Sequence, residues 1–197
     1  MIERPAEHLA ECVKGHARLL ATIASLTDDE VSSPSLLPGW SRGHVLTHLA
    51  RKSDSNVCLL DGAYVGEVRE QYPEPGMRER DIEAGAGRLA ADLREDVAAA
   101  FARFEEAFGP FPSDLWGSEG VVQPGRRTMA EIVFRHLRDL EVHHVDLALG
   151  YAPSDWPALY VEGELMRRLP GLPERADRSA LVAWLIGRAE APKLSAW

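Results

Sequence analysis

Four residues that bind metals or transfer protons recur along one face of a segment near position 140. His136, Asp139, His143 and Asp146 follow one another at intervals of three, four and three residues. This spacing is that of one face of an α-helix, and Asp139 and His143, at i and i+4, project from adjacent turns toward one point. Imidazole and carboxylate groups are ligands that zinc and related divalent ions accept. The pattern predicts two ligands of a metal site.

A third ligand must come from another segment, because catalytic zinc commonly takes three protein ligands and keeps one position open. His48 is the candidate, since it lies among apolar residues of an earlier predicted helix, where an unpaired imidazole would be desolvated. Three alternatives remain open. His48 is also compatible with a hydrogen-bonded core histidine, Asp139 and His143 with a solvated helix face, and His44 with His48 forms a rival i,i+4 pair.

Four long helices are predicted to position these side chains. The first runs from about Pro5 to Leu26, the second follows Ser41 as N-cap, the third carries an apolar stripe from Leu89 to Phe108, and the fourth runs from about Thr128 to Leu149. The sequence thus predicts an all-α or mainly α protein, with a metal-binding four-helix bundle over residues 1–150. The proline-rich remainder, residues 151–197, is predicted as a short, mostly helical C-terminal segment.

The overall composition favours a small-molecule partner. The chain has 197 residues and a net charge of −9, with 31 acidic against 22 basic residues, which argues against nucleic-acid binding. Its two cysteines, Cys12 and Cys58, form neither a disulfide framework nor a thiolate metal motif. No stretch has the length of a membrane span and no targeting segment is found. We therefore expect a cytoplasmic protein with no membrane association.

Two sequence motifs resemble those of a known family. The stretch from Leu37 to Ala50, LPGWSRGHVLTHLA, is similar to the N-terminal signature of mycothiol-dependent maleylpyruvate isomerases. The stretch from Arg138 to Leu147, RDLEVHHVDL, is similar to a second motif of that family. These isomerases belong to the DinB-like helical-bundle metalloenzyme superfamily. The resemblance implies a DinB-like four-helix bundle with a short, reduced C-terminal segment.

The resemblance also implies a ligand set and a catalytic residue. Zinc, or another divalent metal, would be held by His48, Asp139 and His143, where Asp139 replaces the glutamate of the family and is one methylene shorter. Arg188, in a Gly-Arg pair after an apolar helix, matches an essential arginine of the family. A guanidinium there would bind a substrate carboxylate in bidentate fashion. The ordinary interpretation of Arg188 is a cation that balances the dipole of a C-terminal helix.

The activity implied by the resemblance is an isomerisation that depends on a metal and a thiol. Mycothiol, or a similar low-molecular-weight thiol, would add to a cis double bond, the bond would rotate, and elimination would give the trans product. A first alternative is a mycothiol S-transferase that conjugates an electrophile, which the shortened C-terminal segment keeps open. A second is a non-catalytic, metal-stabilised binding module. The expected substrate is a small carboxylated or electrophilic molecule.

Overall fold

The computed structural model describes residues 2–195 and is mainly helical. Within that range the chain forms α1 (Ala6–Ile23), α2 (Asp28–Ser32), α3 (Arg42–Tyr64), α4 (Met77–Ala86), α5 (Ala90–Phe108), α6 (Met129–Asp146), α7 (Ala158–Arg168) and α8 (Arg178–Leu185). Strands β1 (Glu119–Val122) and β2 (Gly125–Thr128) pair in an antiparallel hairpin. The chain divides into two compact units, one up to Trp156 and one from Pro157 on.

The first unit is a bundle of the four long helices. Helix α3 packs against α5 and α6, and α1 packs against the same two helices. The apolar stripe of α5 lies in the centre of this bundle, where each member is at most 1% exposed: Leu93, Val97, Phe101, Phe104 and Phe108. Burying side chains of this size is the main stabilising contribution available to a helical bundle. The predicted mainly α four-helix bundle is confirmed.

Hydrogen-bonded N-caps define where α3 and α6 begin. The Ser41 hydroxyl accepts from the backbone N–H of His44, and the Thr128 hydroxyl accepts from that of Glu131. In both cases the side chain of the third helical residue bonds back to the N-cap N–H, which completes a capping box. These caps fix the first residue of each helix. The prediction of Ser41 as N-cap is confirmed.

The prediction that the apolar stripe of the third helix begins at Leu89 is wrong, and helix α4 and the β-hairpin were not predicted. The segment before Phe108 is not one long helix, because α4 ends at Ala86 and α5 begins only at Ala90. Leu89, placed in the apolar stripe, is the extended N-cap of α5 and is 58% exposed. The turn-rich stretch before Thr128 contains the β-hairpin, in which Gly120 lies so close to Leu59 that an added Cβ would be 2.9 Å from its side chain.

A close approach of α3 to α4 depends on Gly43. A Cβ built on Gly43 would lie 2.2 Å from the carbonyl oxygen of Ala86, which is backbone and not free to move aside. We expect Gly43→Ala to lower the free energy of unfolding by about 2–3 kcal/mol, because the two helices must separate. Urea denaturation measures this. In Gly87→Ala, where a Cβ meets nothing within 4 Å, the change should stay within about 0.5 kcal/mol; equal losses in both variants would contradict the explanation.

The unit from Pro157 on contains α7 and α8, joined by a short 3-10 turn from Leu169 to Glu174. Asp177 caps α8 by accepting the backbone N–H of Ala180 at 2.8 Å. Several apolar side chains of this unit are exposed, among them Met166 and Leu185. Within residues 2–195 no helix combines the length and apolarity needed to cross a membrane.

Candidate metal centre

The facing surfaces of α3 and α6 bring His48 and His143 into contact. Their ring centroids are 4.7 Å apart and the rings are nearly perpendicular, at 85°. Asp139 lies one turn before His143 on α6, and its carboxylate interacts electrostatically with both imidazoles. The three residues singled out in the sequence are therefore neighbours across one helix–helix interface.

The charge states of His48 and Asp139 suit metal binding. Burial, together with the neighbouring His143, lowers the pKa of His48 to about 3, so its imidazole is neutral at neutral pH. Burial alone would raise the pKa of Asp139, but Lys52 and the adjacent imidazoles act in the opposite direction and lower it to about 2. Metals bind deprotonated ligands, so neither group has to lose a proton before it coordinates.

Asp146 orients the imidazole of His143. The Nδ1 of His143 lies 2.8 Å from Oδ2 of Asp146, one turn further along α6. A carboxylate only accepts hydrogen bonds, so Nδ1–H donates to Asp146 and Nε2 keeps its lone pair. Histidine ligands of metals commonly donate their second ring N–H to a carboxylate in this way. The last residue of the polar stripe thus supports the ligand next to it.

Two cations contact the Asp139 carboxylate. The Lys52 ammonium lies 3.3 Å from Oδ2, and the Arg138 guanidinium lies 3.9 Å from Oδ1. No group of three or more His, Cys, Asp or Glu side chains among residues 2–195 is arranged to hold a metal ion. The ligand types of His48, Asp139 and His143, and the charge states of His48 and Asp139, fit a divalent metal. Their present arrangement does not, and a metal bound at Oδ2 of Asp139 would have to displace Lys52 from that oxygen.

His136, the first residue of the stripe, belongs to the core instead. Its Nε2 lies 2.7 Å from Nε2 of His16 on α1, and its ring stacks on Phe104 at 3.9 Å. His16 in turn donates from Nδ1 to Glu105, so His16 Nε2 accepts and His136 Nε2–H donates. The Nδ1 of His136 then accepts from the side-chain amide of Asn56 at 3.4 Å.

This chain of hydrogen bonds continues to the edge of the candidate site. The Oδ1 of Asn56 accepts from the amide of Gln71 at 3.0 Å, and Oε1 of Gln71 accepts from the Lys52 ammonium at 3.2 Å. We call the four buried side chains between Glu105 and Lys52 the buried polar line; they are His16, His136, Asn56 and Gln71. Lys52 connects this line to Asp139.

A cavity of about 330 Å³ is lined mainly by the loop before α4, and one of its lining residues, Arg78, contacts His48. Tyr72, Arg78 and Gln123 form part of its wall. The Arg78 guanidinium lies 5.6 Å from the centre of the Trp40 ring, with Nη2 3.5 Å from Nδ1 of His48. A guanidinium held over an indole ring can receive a carboxylate without first being ordered.

The remaining sequence candidates are His44 and Arg188. His44, the rival partner of His48, accepts the backbone N–H of Ser41 through Nδ1 and faces Glu83 through Nε2, so both ring nitrogens serve other contacts. Arg188 follows α8 in the unit from Pro157 on, where it is exposed and lies 3.4 Å from the carbonyl of Ile186. Its catalytic role stays a prediction.

Sequence reasoning missed the role of Lys52 and did not assign a role to Asp146. A signal for both exists, because each is spaced as a helical neighbour of a proposed ligand. Lys52 follows His48 by four residues on α3, and Asp146 follows His143 by three on α6. Gln71 had no such signal, since it lies in a loop.

The bundle of the four long helices has a DinB-like fold. The chain belongs to the mycothiol maleylpyruvate isomerase family, since the model of that family's N-terminal domain matches residues 12–148. This range contains all three proposed metal ligands and both motifs.

Solved structures support the same fold. The chain superimposes on a crystal structure of mycothiol-dependent maleylpyruvate isomerase with a TM-score of 0.76, at 24% identity, over 82% of this chain and 70% of the other. A histidine-to-alanine variant of that isomerase gives the same TM-score and coverage at 23% identity. No curated protein matches the chain significantly.

Proposed function

We propose that the protein is a metal-dependent isomerase that uses mycothiol or a similar low-molecular-weight thiol. The observation that carries the proposal is the contact of His48 with His143 beside an ionised Asp139, in a chain of this family. The proposed ligands are these three residues, and zinc is the proposed metal. A bound divalent metal would lower the pKa of a thiol, so that it is a thiolate at neutral pH.

The side chains around the ligands suggest how a substrate is held. Arg78, fixed over Trp40 at the cavity wall, would bind a carboxylate of an unsaturated acid. The thiol sulfur would form a bond to one alkene carbon, rotation about the resulting single bond would follow, and elimination would return the thiol and the trans product. Arg188 is proposed as a second carboxylate-binding residue, by analogy with the family alone.

Metal content and turnover of the purified protein test this proposal together. We expect near-stoichiometric zinc in the wild type, thiol-dependent conversion of maleylpyruvate to its trans isomer, and loss of both in His48→Ala. His8→Ala is the matched control, because this α1 histidine contacts Phe134 edge-on and takes no part in the site. Accumulation of a stable thiol adduct would reassign the protein as a thiol S-transferase. A wild-type protein that folds but neither contains nor binds zinc would instead indicate a non-catalytic binding module.

The contact between Asp146 and His143 leads to a separate prediction. We expect Asp146→Asn to weaken zinc binding about 10- to 100-fold, because the amide no longer fixes the proton on Nδ1 of His143. The free energy of unfolding should change less than the free energy of zinc binding, since the substitution preserves the size of the side chain. Zinc titration calorimetry measures the affinity. An unchanged affinity would show that Asp146 does not support the ligand.

A further inference from the structure

Lys52 is the side chain that links the candidate metal centre to the interior. It follows His48 by one turn of α3, and its side chain is only 9% exposed. The ammonium is 3.3 Å from Oδ2 of Asp139 and 3.2 Å from Oε1 of Gln71. One buried cation is therefore shared between a charged and a neutral acceptor.

The neutral acceptor is held firmly in place. The side-chain amide of Gln71 donates to Oγ of Ser55 and to Oδ1 of Asn56, each at 3.0 Å, and its backbone N–H donates to Val121 at 2.9 Å. With both amide hydrogens engaged, Oε1 has to face Lys52. Gln71 therefore offers the ammonium a partner that does not depend on Asp139.

The carboxylate that would bind the metal is thus already paired with an internal cation. A divalent metal bound at Oδ2 of Asp139 would compete with the Lys52 ammonium for that oxygen, and a buried ammonium cannot be left without a partner. We propose that Lys52 competes with the metal for Asp139 and is retained by Gln71 when the metal binds. This inference rests on the proposed metal site. Lys52 lowers the affinity of that site, and Gln71 limits the extent to which it does so.

Lys52→Met tests the competition. We expect zinc to bind about 10- to 100-fold more tightly than to the wild type, as measured by titration calorimetry with zinc alone, because the charged hydrogen bond no longer has to be displaced. Arg135→Met is the control for loss of one positive charge, since Arg135 interacts electrostatically with Asp139 but makes no ion pair with it within 4.0 Å. Arg135→Met should change the zinc affinity by about threefold or less. If Lys52→Met does not fold, Lys52→Gln is used for the same comparison.

Gln71→Met tests the second acceptor without changing the charge of the protein. We expect zinc binding to weaken about three- to tenfold, because Lys52 displaced from Asp139 then finds no acceptor. In the Lys52→Met background the same Gln71 substitution should have no effect on zinc affinity. This double-mutant cycle separates loss of the acceptor from general damage to the loop, which would weaken binding in both backgrounds.

The outcomes distinguish this inference from the proposed function. Equal gains in Lys52→Met and Arg135→Met would overturn it in favour of a simple field effect. Zinc binding to the wild type with no gain in Lys52→Met would overturn the competition and leave the metal site intact. Zinc binding only after Lys52 is replaced would support the competition and contradict metal dependence of the wild type. No zinc binding in any variant would overturn both.

Discussion

Asp139→Asn is expected to abolish zinc binding and to lower thiol-dependent turnover at least about a thousandfold. The substitution preserves size but removes the proposed carboxylate ligand, whose pKa of about 2 keeps it ionised at every physiological pH. A catalytic metal contributes several kcal/mol to stabilisation of the transition state, and about 4 kcal/mol corresponds to a factor of a thousand. Elemental analysis and turnover with mycothiol measure the two effects.

Two further variants sharpen this result. Another aspartate, Asp54 on α3, pairs with Arg103 at 2.7 Å. Asp54→Asn should leave zinc content and turnover unchanged. Asp139→Glu restores the longer carboxylate that the family has at this position, and we expect it to retain both. Full turnover of the Asp139→Asn protein would exclude this carboxylate from the metal site.

Acid is expected to destabilise the protein strongly, in part through three buried histidines other than His48. Burial lowers the pKa of His16, lowers that of His136 well below its usual value, and lowers that of His144 to about 4. The ordinary pKa of histidine is about 6.5. Below that pH these three side chains are protonated in the unfolded chain but stay neutral in the folded protein. The stabilisation is complete above about pH 7 and is lost as the pH falls toward the folded values. Between pH 7.5 and 5.5 we expect a loss of about 3 kcal/mol.

Urea denaturation across this pH range measures the loss of stability, and His144→Gln removes the contribution of one of the three histidines. His144 lies 2.8 Å from the Thr22 hydroxyl and stacks on Tyr151 at 3.9 Å, and glutamine can keep the hydrogen bond without titrating. The loss between pH 7.5 and 5.5 should shrink by about 1 kcal/mol in this variant. A free energy of unfolding that does not change with pH would contradict the buried, neutral state of the three histidines.

The parts of the fold that depend on local signals were predictable from the sequence. Helical spacing and the capping residues Ser41 and Thr128 locate α3 and α6, because helix hydrogen bonds and N-caps involve residues within four positions of one another. Helix α4 and the β-hairpin were not predictable in this way. Their short segments are stabilised by packing against α3, as the approach of Gly120 to Leu59 shows.

The site was predictable only in part for a geometric reason. Residues three apart on a helix differ by about 60° in direction, so His136 and Asp139 share a broad stripe and yet face different neighbours. His136 meets His16 on α1, whereas Asp139 meets Lys52 on α3. Spacing along one helix gives the direction of a side chain, but not the rotation and height of the helix opposite.

The buried polar line also determines the register of the helices. Apolar helices can slide past one another by one turn, about 5.4 Å, and still bury most of their area. A slide of α1 along α6 would separate His16 from His136, now 2.7 Å apart, and leave two polar rings without partners among Phe101 and Phe104. The hydrogen bond between His16 and His136 therefore disfavours bundles in which α1 and α6 are shifted by one turn. In the register that it favours, Asp139 and His143 of α6 lie next to His48.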